Sequence, residues 1–129
     1  MDKALSHIRL LVGSTDPGED RYNRDVEFPN FVSVSRFSDG RLQLEVGSHS
    51  RSAIARFERF QFDHLQLLLS EGDVEGIWLG RALINTKWRG DRQLWQMYDE
   101  IDEDYAEAEI DRLEVLRLRR ALPLLLEFS

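Results

Sequence analysis

The sequence predicts an α+β fold in one domain: an antiparallel sheet of four or five strands, a short helix, and one long C-terminal acidic amphipathic helix. Three observations lead there. An Asp-Gly pair separates two runs near residue 40, the second of them cleanly alternating, and apolar residues recur at spacings of 4, 3, 4 and 3 from Leu94 to Ala108. No repeat, low-complexity tract or linker divides the 129 residues, which suffice to bury a core. With 42% hydrophobic and 32% charged residues the composition is globular rather than disordered.

Taken in order, residues 7–12 alternate Ile8, Leu10 and Val12 against His7, Arg9 and Leu11 and predict a first strand. The polar stretch GSTDPGEDRYNRD then reads as a long loop. Residues 31–37 and 41–46 flank Ser38, Asp39 and Gly40; the second run sets Leu42, Leu44 and Val46 against Arg41, Gln43 and Glu45. That is a hairpin signature, because Gly40 can take the positive φ that a tight turn requires. After the loop GSHSRS, residues 53–62 read either as strand, from Phe60 and Phe62, or as helix, from Ile54, Phe57 and Phe60. Asp63 is the expected cap of a short helix through Leu65, Leu68 and Leu69, ending at Gly72.

Residues 77–84 predict another strand, NTKWRGD a turn, and Thr86 or Asp91 a cap for the last helix. In that helix Leu94, Tyr98, Ile101, Tyr105 and Ala108 draw an apolar stripe that Leu113, Val115 and Leu116 extend. Asp99, Asp102, Glu103, Asp104, Glu107 and Asp111 would take the opposite face. Arg117, Arg119 and Arg120 would favour the helix C-terminus by charge and dipole, and Pro123 would end it, leaving LLLEF as an edge strand or packed tail.

The chain has no cysteine, which removes disulfides, thiolate metal sites and cysteine nucleophiles and fits a reducing, cytoplasmic setting. The first residues, MDKALSHIRLLVG, hold too short an apolar run for a signal peptide and no stretch approaches 18 apolar residues, so neither secretion nor a membrane span is expected. Fifteen of the seventeen bases are Arg, a skew that planar bidentate contacts or a GC-rich genome would each produce. The net charge of -7 is uneven: residues 1–60 carry 9 acids and 9 bases, residues 61–129 carry 15 acids and 8 bases.

Catalytic patterns are not found. The three histidines, His7, His49 and His64, lie outside any nucleophile-elbow motif, and no phosphate loop or dinucleotide fingerprint occurs. A small hydrolase therefore ranks last among the readings, and no cofactor is expected. The tripeptide Arg89, Gly90, Asp91 reads as a turn before the helix rather than as a recognition motif.

The strongest chemical feature is residues 99–111, DEIDEDYAEAEID, with eight carboxylates in thirteen positions and no base. A calcium loop needs glycine at its sixth position, where a start at Glu100 finds Tyr105 and a start at Asp102 finds Glu107. A di-iron helix needs histidine three residues after a glutamate, and the segment has none. No metal is expected. Such density forgoes the ion pairs that stabilise most surface helices, which makes sense when a basic partner relieves the repulsion; a merely solvated face is the alternative.

The expected partner is a basic protein surface, such as that of a nucleic-acid-handling protein. The residues expected to bind it are Asp99, Glu100, Asp102, Glu103, Asp104, Glu107 and Asp111, with Trp88 beside Lys87 and Arg89. Trp78 and Trp95 read as core. Direct nucleic-acid or phosphate binding through Arg36, Arg41, Arg51, Arg56 and Arg59 is the rival reading, opposed by the overall charge.

Overall fold

The computed structural model describes residues 6–14, 30–48, 51–70 and 72–127. It contains two four-stranded antiparallel sheets, each a simple meander, rather than one sheet. The first comprises β1 (Ser6–Ser14), β2 (Asn30–Phe37), β3 (Leu42–Ser48) and β4 (Arg51–Phe57). A 3-10 turn, Arg59–Gln61, and the short helix α1 (Phe62–Leu68) lead to the second, comprising β5 (Val74–Leu79), β6 (Ala82–Arg89), β7 (Arg92–Asp99) and β8 (Asp104–Asp111). Helices α2 (Arg112–Ala121) and α3 (Leu124–Glu127) end the described chain. No helix among the described residues is long and apolar enough to cross a membrane.

The predicted hairpin is present: Gly40, at φ 89°, donates its N–H to the Phe37 carbonyl, and Phe37 donates to the Arg41 carbonyl. Asp39 Oδ1 accepts the Arg41 N–H, so the turn is held by its own side chain as well. Residues 53–62 divide between the two readings, strand to Phe57 and helix from Phe62. Asp63 stands inside the first turn of α1 and Gln61 occupies the cap position. Of the predicted loop, residues 13–25, Gly13 and Ser14 end β1 instead, and the rest lies outside the described residues, as does the side chain of His7.

The long acidic helix is not formed. Residues 92–99 and 104–111 are adjacent strands joined by a turn over residues 100–103, and helix begins only at Arg112. The physical reason is a competing period of two. Gln93, Trp95 and Met97 face inward while Leu94, Gln96 and Tyr98 face out; in β8, Ala106, Ala108 and Ile110 face inward while Glu107, Glu109 and Asp111 face out. A helix would leave Trp95 and Met97 off the Leu94 stripe, whereas the hairpin buries both completely. The same logic splits residues 77–84 into the end of β5 and the start of β6, and makes residues 85–89 strand. Of the Arg89, Gly90, Asp91 segment, Arg89 ends β6 and Gly90, at φ 64°, and Asp91 form the β6–β7 hairpin turn.

The sheets pack face to face. Val32, Val34, Leu44, Val46, Ala53 and Ala55 line the inner face of the first, and Ile84, Trp95, Met97, Ala106, Ala108 and Ile110 that of the second. β8 runs across all four strands of the first sheet; its alanines let the backbones approach. α2 lies against β1 and closes the core with Val115 and Leu118, followed by Leu122 and Leu125. Arg36, on the inner face, donates from Nη1 to the Leu125 carbonyl at 3.2 Å.

One contact ties the sheets at their rim. Gly80, in the β5–β6 turn at φ 58°, sits so close to β4 that a Cβ would overlap the Arg56 carbonyl oxygen. Only glycine satisfies both demands. This seating brings the β5–β6 turn and the neighbouring β7–β8 turn, linked by the Glu100 N–H to the Arg81 carbonyl at 3.1 Å, against the edge of the first sheet.

Candidate functional site: the outer face and acidic turn of the second sheet

The acidic segment becomes a hairpin, and the hairpin sorts its eight carboxylates into distinct environments. Glu109 and Asp111, on the outer face, meet cations: Arg89 lies 3.6 Å and Arg92 3.4 Å from Glu109, and Arg92 lies 3.2 Å from Asp111. Glu107, one row nearer the turn, accepts the Tyr105 hydroxyl at 2.6 Å and Gln96 Nε2 at 2.7 Å, both on Oε2. These hydrogen bonds, Tyr105 first, hold the Glu107 carboxyl below its ordinary pKa. Partial burial, then the Glu107 carboxylate, push the Tyr105 hydroxyl up to about 12.

Asp99 is nearly buried at the end of β7, and its Oδ1 accepts the Ile101 N–H at 2.9 Å. The other four, Glu100, Asp102, Glu103 and Asp104, are exposed, and none makes an ion pair with a cation among the described residues. Asp104 is moreover the direct cross-strand neighbour of Asp99, a like-charge pairing that destabilises a hairpin. One carboxylate oxygen each from Asp99, Asp102 and Asp104 falls within 4.8 Å of the others. The turn accounts for that grouping, since the Asp99 side chain is what closes it.

Beside the turn lies a row of apolar side chains. The registers Trp78 to Leu83, Leu83 to Tyr98 and Tyr98 to Tyr105 place these four residues side by side across the outer face. Trp78 is 43% exposed, Tyr98 39% and Tyr105 40%, and Ile101 at the turn is 62% exposed. The next row, Asn85, Gln96 and Glu107, is polar, and Asn85 Oδ1 accepts the Gly76 N–H at the bulge in β5. His64 donates from Nδ1 to the Trp78 carbonyl at 3.1 Å, which fixes the backbone behind that ring.

On the opposite side of the turn is a groove of about 330 Å³ between β4 and the two turns, lined by Ile54, Arg56, Arg81, Asp99, Ile101 and Asp102. The acidic turn therefore stands between this groove and the aromatic row.

Trp88 is elsewhere. It faces inward, half-buried against the core, with Nε1–H donating to the Ser70 carbonyl at 3.1 Å and the Arg112 guanidinium 5.3 Å from its ring centre. The exposed ring is Trp78, which the sequence reading assigned to the core. The arginines of the rival reading do not gather into one site: Arg41 and Arg56 line a pocket beside the β2–β3 turn, but Arg36 is buried on the inner face, Arg51 starts β4 at its far end, and Arg59 stands in the 3-10 turn after β4. The signal that would have found the aromatic row is the period-two pattern of residues 92–99 and 104–111, which puts Tyr98 and Tyr105 on the solvent side.

Comparison with known proteins adds no relative: no family model matches the chain, and neither the curated proteins nor the solved structures return a match.

Proposed function

We propose that this protein is a cytoplasmic interaction module that binds a basic protein surface through the turn end of the β7–β8 hairpin, and thereby inhibits or modulates a nucleic-acid-handling protein such as a nuclease or transcription component. The observation that supports this reading is the sorting of the carboxylates. Those at the Arg89 and Arg92 end are paired within the sheet, while Glu100, Asp102, Glu103 and Asp104 are exposed without an ion pair among the described residues. A cluster of this kind repels itself, steers a cationic surface toward it, and weakens in salt. Surfaces that bind phosphate backbones carry the complementary charge.

The test replaces Glu100, Asp102, Glu103 and Asp104 with Gln or Asn. Stability is expected to stay the same or rise slightly, because the changes relieve repulsion and touch no core residue. Wild-type and neutralised chains are then used as bait in the native host's extract at two salt concentrations. The expected result is a basic nucleic-acid-handling protein that the wild type retains at low salt and the variant loses. Equal retention by the two chains at low ionic strength removes the acidic turn from the function.

A further inference from the structure

We infer that the row formed by Trp78, Leu83, Tyr98 and Tyr105 is a seat for arginine side chains, so that the occupant of this face is an arginine-rich protein segment. The inference rests on the reading of the acidic turn as a protein-binding end and supplies the chemistry of what it binds.

The row crosses four strands, so it is about 14 Å long at ~4.8 Å per strand, room for two or three flat groups side by side. It presents three large rings, each roughly two-fifths exposed, where a solvated outer sheet face would carry short polar residues. Exposed rings gathered in one row, with polar and charged neighbours, mark an interaction surface.

The charge around the row selects its occupant. Tyr98 and Tyr105 are the last and first outward-facing residues on either side of the acidic turn, so a segment lying on the rings runs up to the turn that carries the exposed carboxylates of Glu100, Asp102, Glu103 and Asp104. A second copy of this chain would bring the same carboxylates and a net charge of -7. A nucleic acid would bring its phosphates. A basic protein segment is what the field favours.

Between the two basic side chains, the surface suits guanidinium. It is planar and weakly hydrated, stacks on aromatic faces, and still offers N–H donors at its edge; an ammonium is compact and strongly hydrated. The acceptor for that edge is already in place. Both hydrogen bonds to Glu107 fall on Oε2, so Oε1 is fixed in position beside Tyr105 without a hydrogen-bond partner among the described residues. A guanidinium over Tyr105 can stack and donate to Glu107 Oε1 at once.

The experiment titrates the full chain with two short peptides in which Ser alternates with Arg or with Lys, following Trp78 fluorescence and the heat of binding at low and physiological salt. The Arg peptide is expected to bind at least about fivefold tighter than the Lys peptide, the gain of one or two exposed cation–π contacts. Trp78→Leu and Tyr98→Leu, which keep an apolar side chain on the outer face, are expected to bring the two peptides within twofold of each other while the Lys peptide binds as before. Thermal melts of these variants check that the sheet is intact. Equal affinity of the two peptides, with both lost on neutralising the turn, overturns the arginine seat and leaves the acidic-turn reading standing. Failure of both peptides to bind overturns both. Binding of a single-stranded oligonucleotide that the Leu variants abolish, or self-association at micromolar concentration that they abolish, assigns the face to another occupant and overturns the inference.

Discussion

Gln93 and Trp95, two residues apart on β7 and both fully buried, are joined by a hydrogen bond from the Trp95 indole N–H to Gln93 Oε1 at 3.0 Å. Gln93 in turn donates from Nε2 to the carbonyl of Leu68, the last residue of α1, at 2.7 Å. A glutamine in the core is thus the link between an indole that needs an acceptor and a helix end that needs a donor. Replacing it with Leu strands both groups. The expected cost is about 2–6 kcal/mol, from ~1–3 kcal/mol for each of the two buried groups left unpaired, read by chemical denaturation. A loss under ~0.5 kcal/mol would mean that water reaches both groups.

Thr86 makes the opposite case. Its Oγ1 is the one buried side-chain oxygen or nitrogen among the described residues without a hydrogen-bond partner. Thr86→Val keeps the shape and removes the orphan, so stability should rise by roughly 1 kcal/mol, since burying an unpaired hydroxyl costs at least that much. A clear fall in melting temperature would show that the hydroxyl is satisfied after all.

The glycines at the two turns should respond differently. Gly40→Val meets open space and suffers only from its φ of 89°, a cost of about 1–3 kcal/mol. Gly80→Ala faces a positive φ and the Arg56 carbonyl together, and a backbone atom cannot swing aside as a side chain can. Its loss should exceed that of Gly40→Val, although alanine is the smaller residue. Melting temperatures of the two variants measured in parallel decide the order.

The Tyr105 and Glu107 pair predicts a pH signature. Tyr105 titrates near 12 in the folded protein against an ordinary 10.0, so its contribution is complete below pH 10 and is lost as pH rises through 12. Glu107 is shifted the other way: its contribution is present above the ordinary carboxylate range and is lost as pH falls through its lowered value. Glu107→Gln removes the anion beside the phenol and should bring the Tyr105 titration, followed by tyrosinate absorbance, back toward 10 without reaching it, because partial burial remains. An unchanged titration would assign the whole shift to burial.

The β2–β3 hairpin was legible in the residues because its causes are local: Asp39 closes the turn, Gly40 takes the left-handed φ, and Leu42, Leu44 and Val46 alternate on one side. The helical character of residues 62–68 and the acidity of residues 99–111 were legible for the same reason. Residues 92–111 were not, since they satisfy two periods at once. Leu94, Tyr98, Ile101, Tyr105 and Ala108 fit a helix; Trp95, Met97, Ala106, Ala108 and Ile110 fit the inner face of two strands, a pattern disguised by a polar Gln93 inside and an apolar Leu94 outside. Nothing within the segment ranks one set above the other.

Sequence alone determined the α+β class, the β2–β3 hairpin, the absence of thiol chemistry and the concentration of negative charge in the second half. Tertiary structure decided the division into two sheets, the inward turn of Trp88 and outward turn of Trp78, and which carboxylates find cations. The reason is that burial is a property of pairs of elements. Trp95 and Met97 gain their full hydrophobic stabilisation only where the first sheet, through β3 and β4, covers β7, and that gain selects the strand period over the helical one. Once β7 and β8 are paired, register sets Tyr98 beside Tyr105 and Asp111 beside Arg92, and leaves Glu100, Asp102, Glu103 and Asp104 at the turn, without an ion pair to Arg89 or Arg92.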